Sequence, residues 1–172
     1  MLDAPQSQVL DILYAREDAL FDDAIEAISA DAFGPGRFAR AAARVREMAP
    51  HDRELSLVAM VWGVVVGSVR QTPILVGTRP ALMLGPLAVL PAYKSRGIGS
   101  RLMHMAADAA REAGESAIVL VGDPPYYGPL GYRPLPPGSI AMPGPVDPRR
   151  LLGKELVPGA LEGLAGEIGP RR

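Results

Sequence analysis

Between Ala81 and Val121 the hydrophobic pattern changes period twice, and this narrows the possible folds more than any other feature of the chain. Residues 81–90 are leucine-rich and almost wholly apolar, as in a strand covered on both faces. From Gly97 to Ala113 the period is helical, with Ile98, Leu102, Met105, Ala109 and Ala113 on one face and Ser100, Arg101, His104, Asp108 and Arg111 on another. Gly114 is a natural helix stop, and residues 117–121 return to a buried-type strand. Strand, glycine loop, helix and strand form a βαβ-like unit, in which the relative direction of the strands stays open.

Upstream, residues 9–14 fit a first strand interrupted by Asp11. Asp18 can cap a helix running to about Ala30, with Phe21, Ile25 and Ile28 on one side and Asp22, Asp23 and Glu26 on the other. Residues 38–48 fit a second helix, with Phe38, Ala41, Ala42 and Val45 on its apolar face, and His51-Asp52-Arg53 a turn. Residues 54–61 and 64–71 are apolar and β-branched, and Trp62-Gly63 between them has the spacing of a two-residue hairpin. Neighbouring antiparallel strands are expected there. Glycine and proline cluster after Gly122, and residues 134–148 read as an extended connection.

A chain of 172 residues with 48% hydrophobic content can bury one sizeable core, so one domain over 1–172 is expected, its core at about 8–135 and 136–172 a closing strand and tail. Basic and acidic residues number 18 and 19 and are interspersed, which gives no field for wrapping nucleic acid. The longest apolar run, residues 57–67, is far short of the roughly 20 residues of a membrane span. Residues 1–5 lack the basic, apolar start of a secretory signal, and a cytoplasmic location is expected. The chain has no cysteine, so acyl transfer cannot pass through a cysteinyl intermediate. His51 and His104, the only histidines, read as surface residues, and no His/Asp/Glu group has metal-ligand spacing. Met48, Met60, Met83, Met103 and Met105 read as core filler.

The loop Lys94-Ser95-Arg96-Gly97-Ile98-Gly99 carries the chemistry. At a strand-to-helix junction its glycines let the backbone approach a ligand, and the first helical N–H groups together with Lys94, Arg96 and Arg101 suit a pyrophosphate. A P-loop would need Gly, four residues, then Gly-Lys-Ser/Thr, which does not occur, and a dinucleotide fingerprint would need a small residue at Leu102. Ser95 and Ser100 lack a nucleophile-elbow pattern and serve as phosphate donors.

The string Lys94-x-x-Gly97-x-Gly99 resembles the acetyl-CoA loop of the GNAT superfamily of N-acetyltransferases, with Lys94 standing where Gln or Arg is usual. Leu84 to Pro91 looks like the superfamily's strand that pairs with pantetheine, and Tyr126-Tyr127-Gly128-Pro129-Leu130-Gly131-Tyr132 resembles its tyrosine segment, Pro129 replacing a frequently basic position. The combination is similar to the bacterial YhbS-like branch. The resemblance implies an α/β fold with a mixed, mostly antiparallel central sheet flanked by helices. It also implies acetyl-CoA as co-substrate and no metal. The residues it assigns to the cofactor are Leu87, Ala88, Val89, Lys94, Ser95, Arg96, Gly97, Ile98, Gly99 and Ser100, with pairing at Leu87 and Val89.

Tyr127 is the implied general acid for the thiolate; a phenol stays protonated at neutral pH. The implied reaction is direct attack by a primary amine in a ternary complex, and the base is Glu54 or Asp123, each beside a predicted strand end. The acceptor is a small-molecule or peptide amine, and Asp18, Asp22, Asp23 and Glu26 can either attract it or form a solvated helix face. Three further readings stay open. One is a CoA-binding module of this fold without catalysis, and another an unrelated nucleotide-binding protein that prefers ATP or NAD. The third, compatible with the rest, is a homodimer paired through strand edges near the C-terminus.

Overall fold

The computed structural model describes residues 10–36 and 40–172. The sequence expectations at residues 1–5, Val9 and Phe38 lie outside the described residues.

Nine strands among the described residues form one mixed, mostly antiparallel sheet flanked by helices, as expected. In chain order the elements are β1 (Leu13–Arg16), α1 (Asp22–Phe33), α2 (Ala41–Met48), β2 (Leu57–Val61), β3 (Val64–Val76), β4 (Arg79–Val89), α3 (Ile98–Glu112), β5 (Ala117–Val121), α4 (Pro124–Tyr127), β6 (Arg133–Pro134), β7 (Ile140–Ala141), β8 (Leu151–Glu155) and β9 (Gly166–Pro170). Strands β1 to β5 follow in order, then β8 and β6. β4 and β5 are parallel, which settles the direction left open by the pattern, and α3 is their crossover.

Local chemistry sets the boundaries. Asp18 accepts from Leu20 N at 2.9 Å and caps a short 3-10 turn ahead of α1. Asp52 likewise accepts from Glu54 N at 2.9 Å, so residues 53–55 are a 3-10 turn and β2 starts at Leu57. Trp62 and Gly63, at φ 53° and 75°, make the two-residue turn that pairs Val61 with Val64. β1 begins four residues later than its apolar run because β2 supplies partners only for Leu13 to Arg16.

Alternation along β2 and β3 divides the core. Val58 and Val65 meet Ile25 and Ile28 of α1, whereas Leu57, Ala59, Val61 and Val66 meet Ile98, Leu102 and Met103 of α3. The buried face of α3 is rotated from the expected one: Met103, Ala106, Ala107 and Ala110 are buried, while Ala113 is exposed. Met83 and Met103 fill the core as expected, but Met48 is exposed.

The last third is more structured than a closing strand and tail. β8 closes the sheet beside β5, and β9 takes the edge of β3 at Ile74–Val76, beyond the last β2 partner of β3 at Val69. Leu135, Ile140, Leu151, Leu161 and Ile168 complete a second cluster there.

The N-terminal half is tied by a buried carboxylate. Glu17 has no exposed side-chain surface and accepts from His51 at 2.6 Å, from Arg53 at 2.8 Å and from Arg70 at 3.0 Å. Asp22 takes both Arg53 nitrogens at 2.9 Å and Arg70 at 3.1 Å. Burial alone would raise the Glu17 carboxyl; the hydrogen bonds and charges of His51 and Arg70 outweigh it and hold it below its ordinary 4.5. A depressed folded-state value gives stability that is complete above the unfolded value and is lost as the pH falls below about 4.5. Glu17→Gln is expected to cost about 2–3 kcal/mol at pH 7, since His51, Arg53 and Arg70 lose a buried charged acceptor and the two arginines keep only Asp22 as counter-charge. The variant's stability should also fall less steeply with acid, as read by denaturant titration at pH 7 and pH 4.

Candidate active site

β4 and β5 pair at Leu82↔Ile118 and Met83↔Val119, and past this point they diverge. The cause is a bulge: Val69 opposes Leu87 and Gln71 opposes Leu84, so Gly85 and Pro86 together stand opposite Arg70. Gly85 has φ 133°, which a residue with a Cβ rarely adopts. A cavity of 530 Å³ opens in the gap, walled by residues 84–87 on one side and by residues 120–123 with Tyr127 on the other.

Beyond the bulge, the parity of hydrogen bonding decides what β4 offers. Leu90 N donates to Val66 O at 2.8 Å, so by antiparallel alternation Ala88 turns its amide and carbonyl to β3. Leu87 and Val89 then point theirs into the gap. Ala88, grouped with them in the sequence reading, is spent on the fold, for its side chain is also buried against α1.

The edge of β4 runs into the glycine loop. Residues 91–93 form a 3-10 turn, Ser95 has φ 62°, and Gly97 at φ 78° is the N-cap of α3. The first helical bond is Arg101 N to Gly97 O at 3.0 Å, so the N–H groups of Ile98, Gly99 and Ser100 have no acceptor within the helix. Lys94, Ser95 and Arg96 are exposed around them. Ile98 contributes its backbone only, its side chain being core. A Cβ on Gly99 would lie 2.6 Å from the Tyr126 hydroxyl, so Tyr126 reaches over the start of the helix. This donor set, an open strand edge leading to a helix end with mobile cations, fits an amide-bearing arm ending in a pyrophosphate.

Tyr127 is fixed by its neighbours. Tyr126 N and Tyr127 N both donate to Asp123 O, at 3.0 and 3.2 Å, and make the turn that aims the ring into the cavity. The ring lies on the backbone of Gly122, where a Cβ would meet ring atom Cε2 at 2.2 Å. Tyr126 and Tyr132 stand edge-on at 4.8 and 6.1 Å. Burial pushes the Tyr127 hydroxyl up to about 12, helped by Tyr126 and Asp123 and opposed by Arg150. It therefore keeps its proton throughout the physiological range.

Residues 22–126, well over half of the chain, match the model of the acetyltransferase (GNAT) family. The chain belongs to that family. The uncharacterized N-acetyltransferase YhbS of Escherichia coli K12 is 33% identical over 73 residues, a match that spans 41% of this chain and 44% of that relative. The crystal structure of a YhbS from Escherichia coli in complex with CoA has a TM-score of 0.77 and 25% identity, covering 98% of this chain and 94% of that one. A GNAT family acetyltransferase from Brucella melitensis in complex with acetyl-CoA has a TM-score of 0.60 and 26% identity, covering 84% of this chain and 96% of that one.

In this GNAT chain the two proposed carboxylates part company. Asp123 lines the cavity and pairs with Arg150 at 3.1 Å. Glu54 sits in the turn before β2, paired with Arg16, and lines neither this cavity nor the smaller one beside it. The acidic helix also divides, since Asp18 is a cap and Asp22 is held by arginines. His51, read as a surface residue, is paired with Glu17 and lines the smaller cavity, of 230 Å³. In the sequence Gly122 marks only the start of the glycine- and proline-rich region, and Tyr126 only the head of the tyrosine segment.

Proposed function

We propose that the chain is an N-acetyltransferase that moves the acetyl group of acetyl-CoA to a primary amine by direct attack within a ternary complex. The observation that carries this reading is continuity: the free edge of β4 at Leu87 and Val89 leads on one side to the open N-terminus of α3 and on the other to the cavity of Tyr127. The pantetheine amides pair with Leu87 and Val89, and the pyrophosphate takes the N–H groups of residues 98–100 with Lys94, Ser95 and Arg96 around it.

The neutral amine attacks the thioester carbon, forming the C–N bond, and the oxyanion is met by backbone N–H at the β4 edge. Collapse breaks the C–S bond, and the thiolate takes the proton of the Tyr127 hydroxyl. The proton shed by the amine passes to Asp123 directly or through water, and the phenolate is reprotonated from that side.

Calorimetry should give saturable binding of acetyl-CoA, with ATP and NAD weak or silent; a preference for either nucleotide would overturn the reading. Tyr127→Phe is expected to leave acetyl-CoA affinity unchanged and lower kcat by about 100-fold, within the range for loss of a general acid. With the hydroxyl pushed up to about 12, the parent rate should rise with pH as the amine deprotonates and show no decline below about pH 11. Acetyl-CoA binding with equal rates for parent and variant would remove Tyr127 from the mechanism.

A further inference from the structure

The two cavities meet at Ser29, Arg46 and Pro86. Arg46 comes from α2 and brings Nη1 to 3.7 Å from where a Cβ on Gly85 would stand, at the bulge that opens the gap. Among the described residues it has no hydrogen bond and no ion pair, although most of its side chain is withdrawn from water.

The other charges of the main cavity are accounted for. Arg150 is held by Asp123, Asp147 by Arg149 at 3.0 Å, and Arg40 lies over the Phe33 ring at 5.2 Å with no carboxylate paired to it among the described residues. After internal pairing the cavity keeps Arg46 and Arg40, a positive balance. On the side of the smaller cavity, Glu26, Glu47, His51 and Arg70 also line the wall; Glu26 acts on Arg46 electrostatically, and Arg70 opposes it while bound to Glu17 and Asp22.

A guanidinium withdrawn from water without a partner is costly, and burial, followed by the charge of Arg70, pulls it down to about 10. A fold that keeps such a group at the wall of a ligand cavity gains when the ligand supplies the anion. Arginine's planar fork suits carboxylate or phosphate oxygens.

We propose that the acceptor is an amine that also carries an anionic group, carboxylate or phosphate, and that Arg46 binds this group while the amine faces Tyr127. The inference rests on the acetyltransferase reading, and of the two readings of the acidic residues it leaves the solvated helix face rather than recruitment of the acceptor.

The test compares matched amines: ethanolamine with O-phosphoethanolamine, and cadaverine with lysine, following CoA release. The parent is expected to favour an anionic member by at least about tenfold in kcat/KM, and the favoured pair tells phosphate from carboxylate. Arg46→Gln should abolish the preference by raising KM for the anionic acceptor roughly 10- to 100-fold, with acetyl-CoA affinity and the neutral amine unaffected. Arg46→Lys should keep part of it. Since Arg46→Gln removes a largely water-shielded charge that has no hydrogen bond or ion pair among the described residues, its Tm should be equal or higher, so lost preference cannot be assigned to unfolding. A preference surviving Arg46→Gln, or parent preference for the neutral amines, overturns the inference. If acetyl-CoA binds but no panel member is acetylated, the same amines are titrated onto the CoA complex, and equal or absent affinity for the anionic ones also overturns it. Failure to bind acetyl-CoA at all sinks the acetyltransferase reading itself.

Discussion

Gly97→Asp is expected to weaken acetyl-CoA binding by about 100-fold or more, while Gly97→Ala weakens it only several-fold. Strain alone predicts the opposite order. Gly97 has φ 78° and nothing within 4 Å of an added Cβ, so neither side chain clashes. The left-handed conformation costs alanine about 1–2 kcal/mol, and aspartate tolerates it better than alanine does. Aspartate should therefore leave α3 no less stable than alanine does at this left-handed position. What aspartate adds is a carboxylate amid the three free N–H groups, competing with the pyrophosphate for the positive end of the helix dipole. Calorimetry beside thermal melts separates these terms. Binding lost at a Tm no lower than that of Gly97→Ala supports the cradle, and equal effects of the two substitutions reduce Gly97 to a conformational role.

The run from β4 to β5 was legible because each element there carries a strong pattern of its own. The phase of α3 was less so, since alanines at 106, 107, 109, 110 and 113 bear little information about which side faces the core. β3 outran its expected end because Pro73, ordinarily a strand breaker, falls where neither β2 nor β9 pairs with it. β9 was read as tail because its one large apolar residue is Ile168; its place depends on backbone contact between Gly77 and Gly166, where a Cβ on either would lie within 2.8 Å of the other segment. The same distinction divides the site. The loop and Tyr127 sit in contiguous strings, whereas the Glu17 network joins residues 31 to 53 positions apart, and the position of Arg46 depends on where the α2 helix lands on the β4 bulge. No local period encodes either arrangement.

Gly122→Ala carries the second large effect, and its interest is that alanine suits the backbone there. Gly122 is not among the glycines with positive φ, and its N–H bond to Arg150 O at 2.9 Å is one alanine can keep. The obstacle is the Tyr127 ring, whose Cε2 would be 2.2 Å from the new Cβ and which must swing away from Tyr126 and Tyr132. Overpacking of this kind costs about 1–3 kcal/mol of stability, so the protein should fold. The proposed proton donor, however, leaves its station, and kcat is expected to fall by about 100-fold or more with acetyl-CoA affinity little changed. If the two residues act as a unit, the double variant Gly122→Ala/Tyr127→Phe should be no slower than the slower single variant. Multiplied losses would mean that Gly122 serves the reaction by some route other than holding Tyr127, and the assignment of Tyr127 as the acid would lose its structural support.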